Sequence, residues 1–204
     1  MIKAVLFDFD GVLTLDKSGS QSILKYISKA TGISYDILKR EYVKYNDDLL
    51  MGNTTHGDIW QRFCSGVGSN IEYELLTEAY RHTPIDYEMV DLVRELKAKY
   101  KTAMVTDNKC DRMDEIVTYY NLKELFQVIS VSAEIKSGKA SERIFVRTLE
   151  KLNVKPEECI FIDNSENNLI VPSEMGIHTI LFDDGKRNLK ETRENIYSII
   201  EENH

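Results

Sequence analysis

The sequence lacks the features that mark several classes of protein. Its 204 residues include only three cysteines, which are far apart and form no Cys-x-x-Cys pair: Cys64, Cys110 and Cys159. This number and spacing argue against a disulfide framework or a zinc site and indicate a reducing compartment. No apolar run approaches the length of a transmembrane helix, and the amino terminus does not resemble a signal peptide. We therefore expect a cytoplasmic protein with no membrane partner.

An excess of positive charge is also missing. The 26 Lys and Arg residues are outnumbered by 34 Asp and Glu residues, which gives a net charge of -8. Proteins that bind nucleic acids or anionic membranes are normally basic, so neither partner is expected. The composition, 42% hydrophobic and 29% charged, is that of an ordinary globular protein. At about 150 residues per domain, the length corresponds to about 1.4 domains.

Five short apolar runs predict the strands of a buried parallel sheet, because each is continuous and is bounded by turn residues. They are Ile2–Phe7, Thr102–Val105, Phe126–Val131, Cys159–Ile162 and Thr179–Phe182. Helical patterns separate the last four runs, and strands that alternate with helices indicate βαβ units. The sequence therefore predicts an α/β fold with a doubly wound, Rossmann-like parallel sheet.

The segment from residue 16 to residue 81 has a different pattern. It contains no convincing strand, and its apolar residues recur at helical spacing in four stripes, the last preceded by a possible capping box from Ser69 to Glu72. We predict a helical insertion over residues 16–81, within a core formed by residues 1–15 and 82–204. Its aromatic residues are interpreted as packing residues, and His56 as exposed.

Polar residues follow the predicted strands at the edge where open parallel sheets bind ligands. Asp8 and Asp10 follow the first strand and, being two residues apart, point to the same side. The other strand ends supply Thr106, Asp107, Asn108, Lys136, Lys139, Asp163, Asn164 and Ser165. Carboxylates hold Mg²⁺ through hard oxygen ligands, and an aspartate can act as a nucleophile that forms an aspartyl-phosphate. This set of residues predicts phosphoryl transfer.

Four motifs in this order resemble those of the haloacid dehalogenase-like hydrolase superfamily. They are Asp8-Phe9-Asp10-Gly11-Val12-Leu13, Val105-Thr106-Asp107-Asn108, Lys139 with its flanking residues, and Phe161-Ile162-Asp163-Asn164-Ser165. The resemblance covers nearly the whole core, and the helical insertion is similar to the helical, C1-type cap of that family. The resemblance implies a Mg²⁺-dependent enzyme.

The resemblance also implies a role for each motif residue. Asp8 would be the nucleophile and Asp10 the general acid and base, with Thr106 and Lys139 completing the catalytic set. Substrate would be bound by Thr106, Asn108 and Lys139, and the metal by Asp8, Asp10, Asp163 and Asn164. Because a halide leaving group needs no proton, Asp10 favours phosphate-ester chemistry over dehalogenation.

Two positions depart from the pattern of the family. Asn164 stands where an acid is common, so the direct metal ligand of the fourth motif is either the neutral amide of Asn164 or the carboxylate of Asp163. Ala140 follows Lys139, where a proline is usual, and the loop of the third motif is therefore expected to be less rigid.

The predicted function is hydrolysis of a small phosphorylated metabolite, with a sugar phosphate favoured by analogy. One alternative is a phosphomutase of the same superfamily, which would need a second basic phosphate site such as Lys39, Arg40 and Lys44. Another is a homologue that binds a ligand without catalysis, which the neutral Asn164 suggests. The sequence leaves the oligomeric state and the identity of the substrate open.

Overall fold

A computed structural model describes residues 1–203 and contains one parallel sheet of five strands. These are β1 (Ala4–Phe7), β2 (Lys101–Thr106), β3 (Val128–Val131), β4 (Cys159–Asp163) and β5 (His178–Leu181). Their order in the sheet is β3-β2-β1-β4-β5. The chain therefore extends the sheet from β1 to one side and then returns to the other side of β1. This topology confirms the predicted doubly wound α/β fold and places the topological switch point beside β1.

Ten α-helices accompany the sheet within residues 1–203. They are α1 (Gly19–Thr31), α2 (Tyr35–Leu50), α3 (His56–Val67), α4 (Tyr73–Arg81), α5 (Tyr87–Lys97), α6 (Cys110–Tyr119), α7 (Ser132–Ile135), α8 (Glu142–Leu152), α9 (Glu166–Glu174) and α10 (Leu189–Glu202). The four helices α1–α4 are here called the inserted helices. In the sequence they follow β1 and precede α5 and β2, in the segment where a helical insertion is predicted. None of the helices in the described part of the chain has both the length and the apolar composition to cross a membrane.

Helices cover both faces of the sheet. The side chains of Val5 and Phe7 belong to the hydrophobic cluster that includes α5, α6 and α10, whereas those of Ala4 and Leu6 belong to the cluster of α8 and α9. All four residues are completely buried. A strand that is buried on both faces needs no polar alternation, which explains why the strands appear in the sequence as continuous apolar runs.

The predicted capping box from Ser69 to Glu72 is wrong. Helix α4 begins at Tyr73, and the carboxylate of Glu72 accepts a hydrogen bond from the side chain of Asn70. Ser69 instead completes the end of α3, because its N–H donates to the carbonyl of Cys64 after Gly68 adopts a left-handed conformation with a φ of 76°. Ser69 therefore belongs to the C-terminal end of α3, whereas the sequence pattern assigns it to the start of α4.

Two linkers connect the inserted helices to the sheet, and they run side by side. Thr14 and Ile85 form an isolated antiparallel bridge, and the N–H of Leu15 donates to the carbonyl of Pro84 at 2.8 Å. The inserted helices also touch the chain after β3, where the Ser132 hydroxyl donates to the carbonyl of Leu50. These contacts bring α1 and α2 over the carboxyl end of the sheet.

Candidate active site

Three motif residues meet where β1 and β4 end. The Nζ atom of Lys139 lies 2.9 Å from Oδ2 of Asp8 and 2.6 Å from Oδ2 of Asp163, and all three side chains are buried. Adjacent parallel strands bring the two carboxylates together, and the loop between α7 and α8 supplies the lysine. The competing candidate, Lys136, is exposed. The structure thus joins the first, third and fourth motifs around one buried ammonium group.

The single positive charge of Lys139 does not balance the two carboxylates of Asp8 and Asp163. Burial raises the pKa of Asp8 to about 7, although the Lys139 ammonium opposes the shift. Burial alone would lower the pKa of Lys139, but the carboxylates of Asp8 and Asp163 outweigh it and hold that pKa above its ordinary value. Lys139 is therefore a constant cation shared by two acids. Ionised Asp8 remains short of positive charge, which suits a site for an additional cation.

Asp10 is held by Arg112, a residue that lies outside the four motifs. The guanidinium of Arg112 binds both oxygens of the Asp10 carboxylate, at 2.8 Å and 2.9 Å, and the amide of Asn108 donates to the same carboxylate at 2.8 Å. Arg112 also donates to the side-chain oxygen of Asn108, four residues earlier, and is completely buried. An arginine on the otherwise apolar face of α6, beside Met113 and Ile116, is the signal that could reveal this partner, since a buried arginine needs one.

The second motif continues into a contact with the inserted helices. Thr106 is buried at the end of β2, and its hydroxyl accepts a hydrogen bond from Asn108. Lys109, also absent from the predicted set, is buried and donates to the hydroxyl of Ser20 in α1 at 2.9 Å. Burial lowers the pKa of Lys109 to about 8. Lys109 therefore connects the second motif to the inserted helices.

The two candidate metal ligands of the fourth motif have different surroundings. Asp163 is completely buried: one oxygen contacts Lys139, and the other accepts from the N–H of Ser165 and the amide of Asn168. Asn164 is half-buried and borders the cavity described below. A Cβ atom at Gly11 would lie 2.3 Å from the amide nitrogen of Asn164, so this amide packs directly on the turn after Asp10. The geometry favours Asn164 as the group that faces a bound ion.

A cavity of about 510 Å³ lies between these residues and the inserted helices. The sheet side contributes Asp8, Asp10, Thr106, Asp107, Lys109, Lys139, Asn164, Ser165 and Asn168. The inserted helices and their linker contribute Lys17, Ser18, Gly19, Ser20, Gln21, Leu24, Tyr35, Lys39, Tyr42, Val43, Asn46 and Leu50. Four lysines and several hydroxyl and amide groups line this space, which favours a small, anionic and polar ligand.

The expectation that His56 is exposed is wrong. His56 is completely buried, because its ring contacts Asp111 at 2.9 Å and the hydroxyls of Tyr42 and Tyr80 at 2.7 Å and 2.9 Å. Burial lowers the pKa of His56, although Asp111 opposes the shift. His56 thus links α3 to α6 of the core.

The three cations proposed for a second phosphate site do not lie together at the cavity. Lys39 lines the cavity, whereas Arg40 and Lys44 both contact the carboxylate of Glu41 and do not border the cavity. Glu41 therefore neutralises part of the basic cluster. Of these three cations, only Lys39 is placed to contact a second phosphate in the cavity.

Oxygen donors that border the cavity at the ends of β1 and β4 suit a hard divalent cation. They are the Asp8 carboxylate, after β1, and the side-chain amide of Asn164, after β4. Within residues 1–203, no group of three or more His, Cys, Asp or Glu side chains could hold a metal ion. Mg²⁺ fits such an incomplete set, because it usually keeps several waters and takes only one or two carboxylates.

Comparisons with known proteins show the family of the chain. The family model for "haloacid dehalogenase-like hydrolase" matches residues 2–176. The chain belongs to this family. The matched segment begins before β1 and ends after α9, and it therefore contains all four motifs and the inserted helices.

Individual relatives are distant. Glyceraldehyde 3-phosphate phosphatase of Methanopyrus kandleri is 25% identical, over 91% of this chain and 86% of the relative. Bifunctional epoxide hydrolase 2 of Rattus norvegicus is also 25% identical, but the chain spans only 38% of its length. A HAD-family enzyme of Bacteroides thetaiotaomicron, solved in complex with magnesium and inorganic phosphate, superposes with a TM-score of 0.69 at 22% identity, over 91% of this chain and 96% of the other. That structure shows the same fold.

Proposed function

We propose that the protein is a Mg²⁺-dependent phosphatase that hydrolyses a small phosphorylated metabolite through an aspartyl-phosphate on Asp8. The observation that carries the proposal is the paired arrangement of two carboxylates at the end of β1. Asp8 contacts the buried Lys139, and Asp10, two residues later, is fixed separately by Arg112. A nucleophile beside a constant cation and a second, independently held carboxylate are the two groups that the reaction needs.

The reaction has two steps in this proposal. A carboxylate oxygen of Asp8 attacks phosphorus, the bond from phosphorus to the leaving oxygen breaks, and Asp10, which enters this step in its protonated form, transfers its proton to that oxygen. Asp10 then removes a proton from a water molecule, which attacks phosphorus and releases phosphate and Asp8. Thr106 and Lys139 hold the phosphoryl oxygens throughout. Mg²⁺, held by Asp8, the Asp10 carbonyl and Asn164, would supply positive charge to the phosphoryl group.

Residues 16–81 act as a cap in the same proposal. The groups of α1 and α2 that line the cavity lie opposite Asp8 and Thr106, and both linkers to these helices are adjacent. A lid of this kind excludes bulk water during formation of the aspartyl-phosphate and limits entry to small substrates. The cavity volume of about 510 Å³ is in the range of small-molecule sites.

A sugar phosphate is the favoured substrate. The cavity wall opposite the motif residues carries hydroxyl, amide and ammonium groups, including Ser20, Asn46 and Lys39, which can bind the hydroxyls of a sugar. The relative from Methanopyrus kandleri is a phosphatase named for a phosphorylated three-carbon sugar. Both observations support a polar leaving group over an apolar one.

A screen of phosphorylated compounds tests the proposal. We expect release of inorganic phosphate from triose or hexose phosphates in the presence of Mg²⁺, and loss of this release with EDTA. Glucose 1-phosphate separates hydrolysis from a mutase reaction, since the former gives free phosphate and the latter gives glucose 6-phosphate. The proposal fails if the folded protein releases no phosphate from any sugar phosphate, nucleotide or p-nitrophenyl phosphate.

The affinity for Mg²⁺ should depend on pH. Because the pKa of Asp8 is raised to about 7, its carboxyl is mostly protonated in more acidic solution and a proton then competes with the ion. The association constant should fall about tenfold per pH unit below pH 7 and level off above it. Calorimetric titration with Mg²⁺ between about pH 5.5 and about pH 8.5 measures this effect. Asp8→Asn, the control, should lose the dependence, and a flat profile for the wild type would contradict the prediction.

A further inference from the structure

Asp184 lies beside the fourth motif although it belongs to none of the motifs. It is part of the loop between β5 and α10, and its side chain is only 13% exposed. One carboxylate oxygen accepts a hydrogen bond from Nδ2 of Asn164 at 2.9 Å, and the other lies 3.0 Å from Nζ of Lys17. Asp184 therefore lies between the candidate metal ligand and the linker to the inserted helices.

The contact determines which way the amide of Asn164 faces. An ionised carboxylate only accepts hydrogen bonds, so it binds the NH₂ group of an amide and not its oxygen. With Nδ2 directed at Asp184, the Oδ1 atom is the part of the side chain that stays available to an ion. Among residues 1–203, no hydrogen bond to this oxygen is present, and the amide rests against the turn at Gly11. Asp184 thus selects the orientation that a cation needs.

The same contact supplies charge. An asparagine in place of an acid offers a neutral oxygen to the ion, which weakens the attraction for a divalent cation. A carboxylate that accepts from the NH₂ group polarises the amide and increases the electron density on its oxygen. Asn164 and Asp184 together therefore supply an oxygen and a nearby negative charge, the two things that a single aspartate would provide.

The loop that carries Asp184 is fixed to the first motif. The guanidinium of Arg187 donates to the carbonyls of Gly11 and Val12, at 2.9 Å and 2.8 Å, and also contacts Asp86. Asp183 accepts from the N–H groups of Gly185 and Lys186, which closes the loop on itself. These contacts tie the loop to the turn after Asp10, and they make the position of Asp184 relative to Asn164 a built feature of the fold.

We propose that Asp184 is a positioning residue for the divalent cation: it orients Asn164 and provides, through it, the negative charge that the neutral Asn164 lacks. The inference rests on the proposed function in two respects, the identity of the ion, Mg²⁺, and the role of Asn164 as one of its ligands. It concerns binding of the ion and makes no claim about the reaction.

Calorimetric titration of the full chain with Mg²⁺, without substrate, tests the inference. Asp184→Asn should weaken binding by about tenfold or more, the usual effect of removing a partner of a metal ligand. Asp183→Asn is the matched control: it removes the same charge from the same loop at a side chain that is 52% exposed, and the amide oxygen can still accept from the N–H groups of Gly185 and Lys186. It should change the affinity by less than about twofold, because solvent screens an exposed charge.

A second pair of variants separates orientation from simple attraction at a distance. If Asp184 acts through Asn164, Asp184→Asn should have little further effect when Asn164 is already alanine. Wild-type affinity in Asp184→Asn, or an undiminished loss in the Asn164→Ala background, would overturn the inference. If the protein releases phosphate but its Mg²⁺ affinity does not change in Asp184→Asn, this inference is wrong and the proposed function stands. A protein that shows the expected pattern and releases no phosphate would refute only the proposed function.

Discussion

Asp8→Asn should reduce the release of phosphate from every substrate by at least about 10³-fold, since it removes the atom that forms the covalent intermediate. The substitution keeps the size of the side chain, and Lys139 retains its contact with Asp163 at 2.6 Å. The loss should therefore appear in kcat even at saturating substrate, with the fold intact. A coupled assay for inorganic phosphate, at fixed Mg²⁺, measures it.

The stability of the same variant provides an internal check. Burial raises the pKa of Asp8 to about 7, so the folded protein binds this proton more tightly than the unfolded chain does. The ionised carboxylate therefore opposes folding above that pH, and the neutral amide removes this cost. We expect the melting temperature of Asp8→Asn at pH 8 to match or exceed that of the wild type. Asp91→Asn, an exposed aspartate of α5, should leave both activity and melting temperature unchanged. Residual turnover in Asp8→Asn near the wild-type level would exclude Asp8 as the nucleophile.

The sheet could be predicted from sequence because it is buried on both sides. Each strand needs a continuous apolar run, and five such runs gave the correct number of strands, with ends within two residues of the observed ones. The ends of helices were harder to predict. Several polar residues near a helix end compete for the same N–H and C=O groups, and Ser69 shows that the choice depends on how the preceding helix terminates.

Different parts of the site were predictable for different reasons. Asp8, Thr106 and Asp163 follow from their place at the ends of β1, β2 and β4, which are neighbours in the sheet, whereas Lys139 follows from its match to the third motif. Arg112, Lys109 and Asp184 do not follow from local pattern, because each acts on a residue in a distant part of the sequence or on a neighbouring helix. His56 shows the same limit: a polar residue after a glycine-bearing loop is completely buried because three partners from elsewhere surround it.

Arg112 has the most specific expected effect among these unpredicted residues. It fixes both oxygens of Asp10 from a position that is completely buried, and it does not border the cavity. It is therefore a positioning residue that acts through Asp10. Asp10 itself borders the cavity, so water can replace the guanidinium when Arg112 is removed. Arg112→Met should then remain folded but leave the general acid poorly placed.

The nature of the leaving group should reveal this role. Arg112→Met should lower kcat/KM for a sugar phosphate by about 10²-fold or more, because an alkoxide leaving group needs the proton of Asp10. The value for p-nitrophenyl phosphate should change by less than about threefold, since p-nitrophenolate leaves without a proton. Because kcat/KM reports only steps through formation of the aspartyl-phosphate, the later use of Asp10 as a base does not affect the comparison.

Two further variants complete this test. Asp10→Asn should show the same dependence on the leaving group, and Arg112→Lys should recover only part of the sugar-phosphate activity, because an ammonium cannot bind both carboxylate oxygens in the planar geometry of a guanidinium. A purely structural role for Arg112 would reduce kcat/KM equally for both substrates and lower the melting temperature in parallel. Equal losses of kcat/KM for the two substrates would therefore show that Arg112 does not act in the proton transfer. Asn108, whose amide lies 2.8 Å from the Asp10 carboxylate, would then be the residue that positions Asp10.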